Sequence, residues 1–165
     1  MKLNKSEVIG VLSVLLFVTM LCFWCNRHQY IKAPTRMPTS QAERFHWILS
    51  NVESTLDLRA RKGGSYGIVQ VTHFVTDELK DVYGTNFSPS MCMGNKELSW
   101  RMMDMYLGRP EMYKVFGPNP LWTDKAGVWK EGVVGYSRGK GRAYIEKCKR
   151  IEAKMGWGGP NSLFK

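Results

Sequence analysis

One carboxyl group stands out by its position. Glu53 closes a run in which Phe45, Ile48, Leu49 and Val52 recur at helical spacing, so it sits at the end of one apolar helix face. A carboxyl there meets the negative end of the helix dipole, and an apolar cleft strips it of water; both effects raise its pKa. A carboxylic acid kept protonated near neutral pH is suited to general-acid catalysis. The same residue could equally be a solvated side chain or an ion-pair partner. Other chemistry is sparse. His28, His46 and His73 are scattered and no metal-ligand spacing occurs, so neither a metal nor a cofactor is expected. Cys92 and Cys148 could pair in an oxidising compartment, or stay as two buried thiols.

The elements that must position Glu53 read as mainly α. Ser40-Gln41-Ala42-Glu43 is a capping box, so a helix should start there and run into Glu53 or Ser54. Residues 59–67 contain three glycines and read as a loop. Ile68-Val69-Gln70-Val71 leads into Thr72, a good N-cap. Phe74, Val75, Leu79 and Val82 then mark a helix ending near Gly84. Leu98, Met102, Met105 and Tyr106 mark another, ending near Gly108. Residues 108–127 look irregular. Trp129, Val133, Val134 and Tyr136 form an apolar segment, and Ala143 to Met155 a final basic helix. The Gly-rich tail, 156–165, reads as loosely held. Strand alternation is nearly absent.

The chain has 165 residues, enough for one domain of ordinary size, and 44% hydrophobic content argues against wholesale disorder. Val8 to Trp24 carries no charge. As a helix it would cover about 26 Å, near the lower limit for crossing a bilayer core. Phe23 and Trp24 stand where a cleavage site would need small residues, so the segment reads as an uncleaved anchor rather than a signal peptide. The positive-inside count is close to a tie. A short N-terminal tail usually stays inside, which places the remainder outside the cytoplasm. The expected organisation is an anchor over residues 1–28, with the membrane met through 8–25, then a linker over 29–39, a domain over 40–155 and the tail.

Three stretches extend the argument from Glu53. They are Glu53-Ser54, then Gly63-Gly64-Ser65-Tyr66-Gly67-Ile68-Val69-Gln70-Val71, and later Val133-Val134-Gly135-Tyr136-Ser137-Arg138-Gly139-Lys140-Gly141-Arg142. In order and spacing the set resembles the lytic transglycosylase domain of the soluble lytic transglycosylase type. That domain belongs to a lysozyme-like superfamily which includes goose-type lysozyme. The family pairs Glu with Ser at a helix end, follows it with a Gly-Ala-x-Gly-Leu-Met-Gln-type stretch, and later has an Ala-Tyr-Asn-x-Gly stretch. Glu53-Ser54 matches the first; Gly64, Gly67 and Gln70 match the second; Tyr136, Gly139, Gly141 and Arg142 match the third. The resemblance covers residues 40–155. Ser137 replaces the family Asn, and Cys92 takes an Asn position in Ser88-Pro89-Ser90-Met91-Cys92-Met93. These departures touch substrate contacts rather than the acid.

The resemblance implies a lysozyme-like α domain that cleaves the β-1,4 bond between N-acetylmuramic acid and N-acetylglucosamine in peptidoglycan. Glu53 would be the single acid/base. Ser54, Gln70 and Tyr136 would contact substrate or hold Glu53, and Gly64 and Gly67 would let the backbone approach the sugar. Each has a structural alternative: a serine satisfying a helix-end backbone group, a partly exposed polar side chain, a core aromatic with a wet tip, and tight-turn glycines. The implied partners are glycan strands, with a phage or envelope-spanning machine as context and the periplasmic side of an inner or virion membrane as location. Other readings are a catalytically silent wall-binding protein, a hydrolytic muramidase and a small basic nucleic-acid binder. The net charge of +10, dense in residues 138–154, would concentrate the protein on an anionic wall and could also meet phospholipid head groups. No nucleic-acid motif accompanies it, so no specific nucleic-acid partner is expected.

Overall fold

The computed structural model describes residues 38–164. The expected anchor and all but the last two residues of the expected linker lie outside the described residues. Among the described residues no helix is long and apolar enough to cross a membrane.

The chain between them is mainly helical, as its periodicity requires. Helix α1 spans Gln41–Ser54. Ser40 Oγ accepts from the Glu43 N–H at 3.1 Å, and Glu43 Oε2 accepts from the Ser40 N–H at 3.2 Å. The capping box therefore forms where its residues placed it, a device that contributes about 1 kcal/mol. Phe45, Ile48, Leu49 and Val52 are all buried. Each such side chain adds about 1.5–3 kcal/mol relative to an exposed one. Helix α2, His73–Tyr83, starts on the Thr72 N-cap and stops at Gly84 in the left-handed conformation, φ 66°. Helix α3, Lys96–Leu107, buries Met102, Met103, Tyr106 and Leu107. A 3-10 turn, Pro89–Cys92, precedes it.

Residues 59–67 are more ordered than a loop. Strands β1, Arg61–Lys62, and β2, Ser65–Tyr66, pair antiparallel with Lys62 opposite Ser65. Only Gly63 and Gly64 connect them, at φ 54° and 85°. Positive φ at both positions is what a two-residue hairpin loop demands. The strands are too short to show alternation, which is why the sequence pattern did not reveal them.

The stretch 108–127, expected to be irregular, is a correction. Helix α4 occupies Pro110–Phe116, with Pro110 in its first turn, and helix α5, Trp122–Ser137, begins inside the stretch. Glycine and proline here start and stop elements rather than dissolve them. Helix α5 breaks at Gly132, φ 70° and ψ 169°. Only glycine occupies that region comfortably. The break lets the second half fold back: the Tyr136 ring lies so close to Gly127 that a Cβ there would sit 2.2 Å from it.

Helix α6, Arg142–Lys154, packs against α1 and α5. Lys147 Nζ donates to the Val52 carbonyl at 3.2 Å, placing a cation on the negative end of α1. The tail is a second correction. Leu163 and Phe164 are buried, and the Phe164 ring stacks on Phe45 at 6.3 Å. Buried Glu152 fastens it, accepting from Ser162 Oγ at 2.5 Å and from the Leu163 N–H at 2.6 Å. Glycines in a tail signal conformational freedom, but two apolar side chains and a buried carboxylate outweigh it. Cys92 and Cys148 are both buried free thiols.

Candidate functional site

Glu53 lies on the last turn of α1, half-buried. It opens into a cleft of about 720 Å³ that is also lined by α2, α3, α4 and α5. The backbone directly after it is unusual. Thr55 and Leu56 both have positive φ, 54° and 67°. Left-handed backbone at a β-branched residue is a genuine outlier, costing about 1–3 kcal/mol, and such strain gathers at functional sites. The third non-glycine residue with positive φ among those described is Gln70, at 57°, on the same cleft wall.

The tyrosine that faces Glu53 is Tyr144, on the first turn of α6. It is 7% exposed, and its hydroxyl has no hydrogen-bond partner of good geometry. Burial first, and then the Glu53 charge, push its pKa well above the ordinary tyrosine value. The Tyr144 hydroxyl therefore stays protonated, within electrostatic reach of the Glu53 carboxyl group. Cys148, one turn along α6, is pushed up to about 12 by burial and then by Glu53. Tyr136, the tyrosine expected here, is placed elsewhere: its hydroxyl donates to Asp124 Oδ1 at 3.4 Å, and its ring packs on Phe116. It clasps the two halves of α5. The signal for Tyr144 was present, since Tyr144, Cys148 and Ile151 share one face of the final helix, but the third motif drew attention to Tyr136.

The remaining expected residues cluster behind Glu53. Ser54 Oγ donates to the Ile68 carbonyl at 2.7 Å, with the Ser50 carbonyl at 3.1 Å. It ties the end of α1 to the turn 67–70. That turn is closed by paired bonds between Tyr66 and Val71, at 2.9 and 2.8 Å. Gln70 lines the cleft, but its side-chain amide folds back and donates to the Gly67 and Ala60 carbonyls at 2.8 and 3.2 Å. Its carboxamide oxygen is the end left for a ligand. Gly67 is required by packing: at φ 74°, a Cβ would lie 2.6 Å from the Cys92 carbonyl oxygen. Gly64 has open space around it and serves the hairpin turn.

Sequence reasoning missed the opposite wall. Arg109, 2% exposed, forms an ion pair with Glu78 and a longer one with Glu111 at 3.8 Å. Its guanidinium stacks over the Tyr106 ring at 3.7 Å and its Nε donates to the Tyr106 carbonyl at 2.8 Å. Burial lowers its pKa while Glu111 opposes the shift. Tyr106 is pushed to about 12 by burial and then by Glu111. Arg109 and Glu111 are two residues apart, but Glu78 lies 31 residues before Arg109 and follows no motif with it, so only folding brings that pair together. Glu131 also lines the cleft, without an ion pair among the described residues. The cleft thus holds four carboxyl side chains, Glu53, Glu78, Glu111 and Glu131, of which Arg109 pairs closely with Glu78 and at longer range with Glu111. Phe74, Val115 and Val134 leave apolar surface on its rim. Among the described residues no three His, Cys, Asp or Glu side chains converge to hold a metal.

Comparison with known proteins adds no assignment: no protein-family model matches the chain, and neither a curated protein nor a solved structure matches it.

Proposed function

We propose that this chain is a peptidoglycan lytic transglycosylase with a lysozyme-like domain and Glu53 as its acid/base. The observation that carries this reading is the placement of Glu53: at a strained helix end, in a cleft of about 720 Å³, near the buried Tyr144. Glu53 gives its proton to the glycosidic oxygen, and the bond from that oxygen to the muramic anomeric carbon breaks. The substrate's own acetamido group supports the positive charge left on that carbon. The resulting Glu53 carboxylate then takes a proton from the C6 hydroxyl, whose oxygen closes the 1,6-anhydro ring. One residue serves both proton transfers and ends as it began. Tyr144 positions the carboxylate, and Arg109 fixes the opposite wall. The sequence before residue 38 would anchor the domain on the periplasmic side of a membrane, for local opening of the wall in a phage, secretion, conjugation or pilus setting.

A second reading is favoured by Glu131. A cleft carboxylate without an ion pair can activate water, as in glycosidases that use two carboxyls, and the protein would then be a muramidase. Both readings are tested by digesting purified peptidoglycan with the full chain and weighing the fragments. Anhydro fragments, one water lighter than lysozyme products and absent with Glu53→Gln, support the transglycosylase. Hydrated fragments lost in both Glu53→Gln and Glu131→Gln support the muramidase. Binding to the wall with no cleavage, by folded wild-type protein, overturns both and leaves a wall-binding protein.

A further inference from the structure

Helix α6 has two faces of opposite character. Tyr144, Ile145, Cys148 and Glu152 are buried, whereas Arg142, Lys147, Arg150 and Lys154 are exposed. Arg138 and Lys140, in the loop leading into the helix, are exposed as well. The acidic residues of the helix do not balance them. Glu146 pairs with Lys149 at 3.3 Å, and Glu152 is buried and committed to the tail. Among the described residues, Arg138, Lys140, Arg142, Arg150 and Lys154 form no ion pair. Solvent therefore meets a strip in which exposed cations outnumber the exposed carboxylates, Glu146 on the helix and Glu131 beside Gly141, and none of the cations lines the cleft.

The course of the chain says where this strip stands. Lys147 reaches the end of α1 at Val52, while Arg44 near the start of α1 lies over Trp157, just beyond α6, at 5.7 Å. The two helices are antiparallel, so the described chain begins beside the C-terminal end of the strip. Upstream of residue 38, outside the described residues, the sequence holds the uncharged run Val8–Trp24. The residues between, 25–37, span at most about 45 Å fully extended. A tether of that reach holds the strip at high effective concentration against any surface in which the run is embedded.

We propose that the strip docks on the headgroup surface of a bilayer containing anionic phospholipid. Unpaired cations on one helix face are attracted to such a surface, and the attraction falls off within a Debye length. Single-stranded nucleic acid would also want aromatic platforms between the cations. Here Tyr144 is buried and Trp157 is covered by Arg44, so the strip offers none.

The test uses the full chain reconstituted in vesicles of phosphatidylcholine, alone or mixed with phosphatidylglycerol. A membrane-impermeant acetylating reagent is added and each lysine is followed by mass spectrometry, with exposed Lys80 on α2 as the internal reference. Lys140 and Lys154 should react roughly three-fold or more slowly relative to Lys80 in the anionic vesicles only, and recover in high salt. The variant Arg138→Gln/Arg142→Gln/Arg150→Gln, altered only at exposed positions, should lose that protection. Equal rates in both vesicles overturn the proposal. So does a chain that floats with neither, or protection that appears only when purified wall or DNA is added.

Discussion

Replacing Gly67 with alanine separates the packing role of this glycine from any role at the sugar. The position has φ 74°, and an added Cβ would meet the Cys92 carbonyl oxygen at 2.6 Å, the Cys92 Cβ at 2.8 Å and Ser99 Oγ at 2.9 Å. The nearest of these is backbone and cannot rotate away, and Cys92 is itself buried. Left-handed backbone costs an alanine about 1–2 kcal/mol. Overpacking a filled site costs about 1–3 kcal/mol more. The expected loss is therefore about 2–5 kcal/mol, and at an m value of about 2 kcal/mol per molar urea the midpoint should fall by about 1–2.5 M. Gly64→Ala is the control: its φ is 85°, but no heavy atom lies within 4 Å of the added Cβ. It should lose only the backbone cost, about 1–2 kcal/mol. Urea unfolding of both variants, followed by circular dichroism, measures the difference. If the two lose stability equally, the 67–70 turn relaxes around the methyl group and the packing argument is wrong.

Phe164→Ala should cost about 3–5 kcal/mol, the range for a buried Phe, and Glu152→Gln about 1.5–3 kcal/mol for its charge-assisted bonds to the tail; thermal melts near wild type for both would mean the tail is held loosely after all. Stability should also decline in alkali. Tyr144 is held well above its ordinary 10.0, and Cys148 and Tyr106 are pushed to about 12. Folding raises each pKa, so the folded chain keeps protons that the unfolded chain releases. This contribution is full below about pH 9 and is lost as pH rises towards 12. Urea midpoints that stay flat across that window would contradict the burial of these groups. In the peptidoglycan digestion, Tyr144→Phe should lower kcat more than KM and shift the alkaline limb of the pH profile, whereas Tyr136→Phe should leave kcat close to wild type; the reverse order would restore Tyr136 to the site.

The sequence by itself determined the local elements. The Ser40 box, the Thr72 cap, the Gly84 stop and the spacing of Phe45, Ile48, Leu49 and Val52 all act within one or two turns of chain, and each appears where its residues put it. It also placed Glu53 at a helix end. The hairpin over residues 61–66, α4 and the pinned tail were not legible. Two-residue strands carry no period, Pro110 and the neighbouring glycines read as breakers, and the hold on Phe164 comes from Phe45, more than a hundred residues earlier. The site divided along the same line. Ser54, Gly67 and Gln70 lie near Glu53 in sequence and stay near it in space, yet their bonds are to backbone and to one another. Tyr144 near Glu53, Arg109 paired with Glu78, and the glycine break that sends Tyr136 to Asp124 were decided only by tertiary structure. The physical reason is range. Capping and periodicity are written into neighbouring residues, but electrostatic partners are chosen by which helix faces pack together, and no local pattern records that choice.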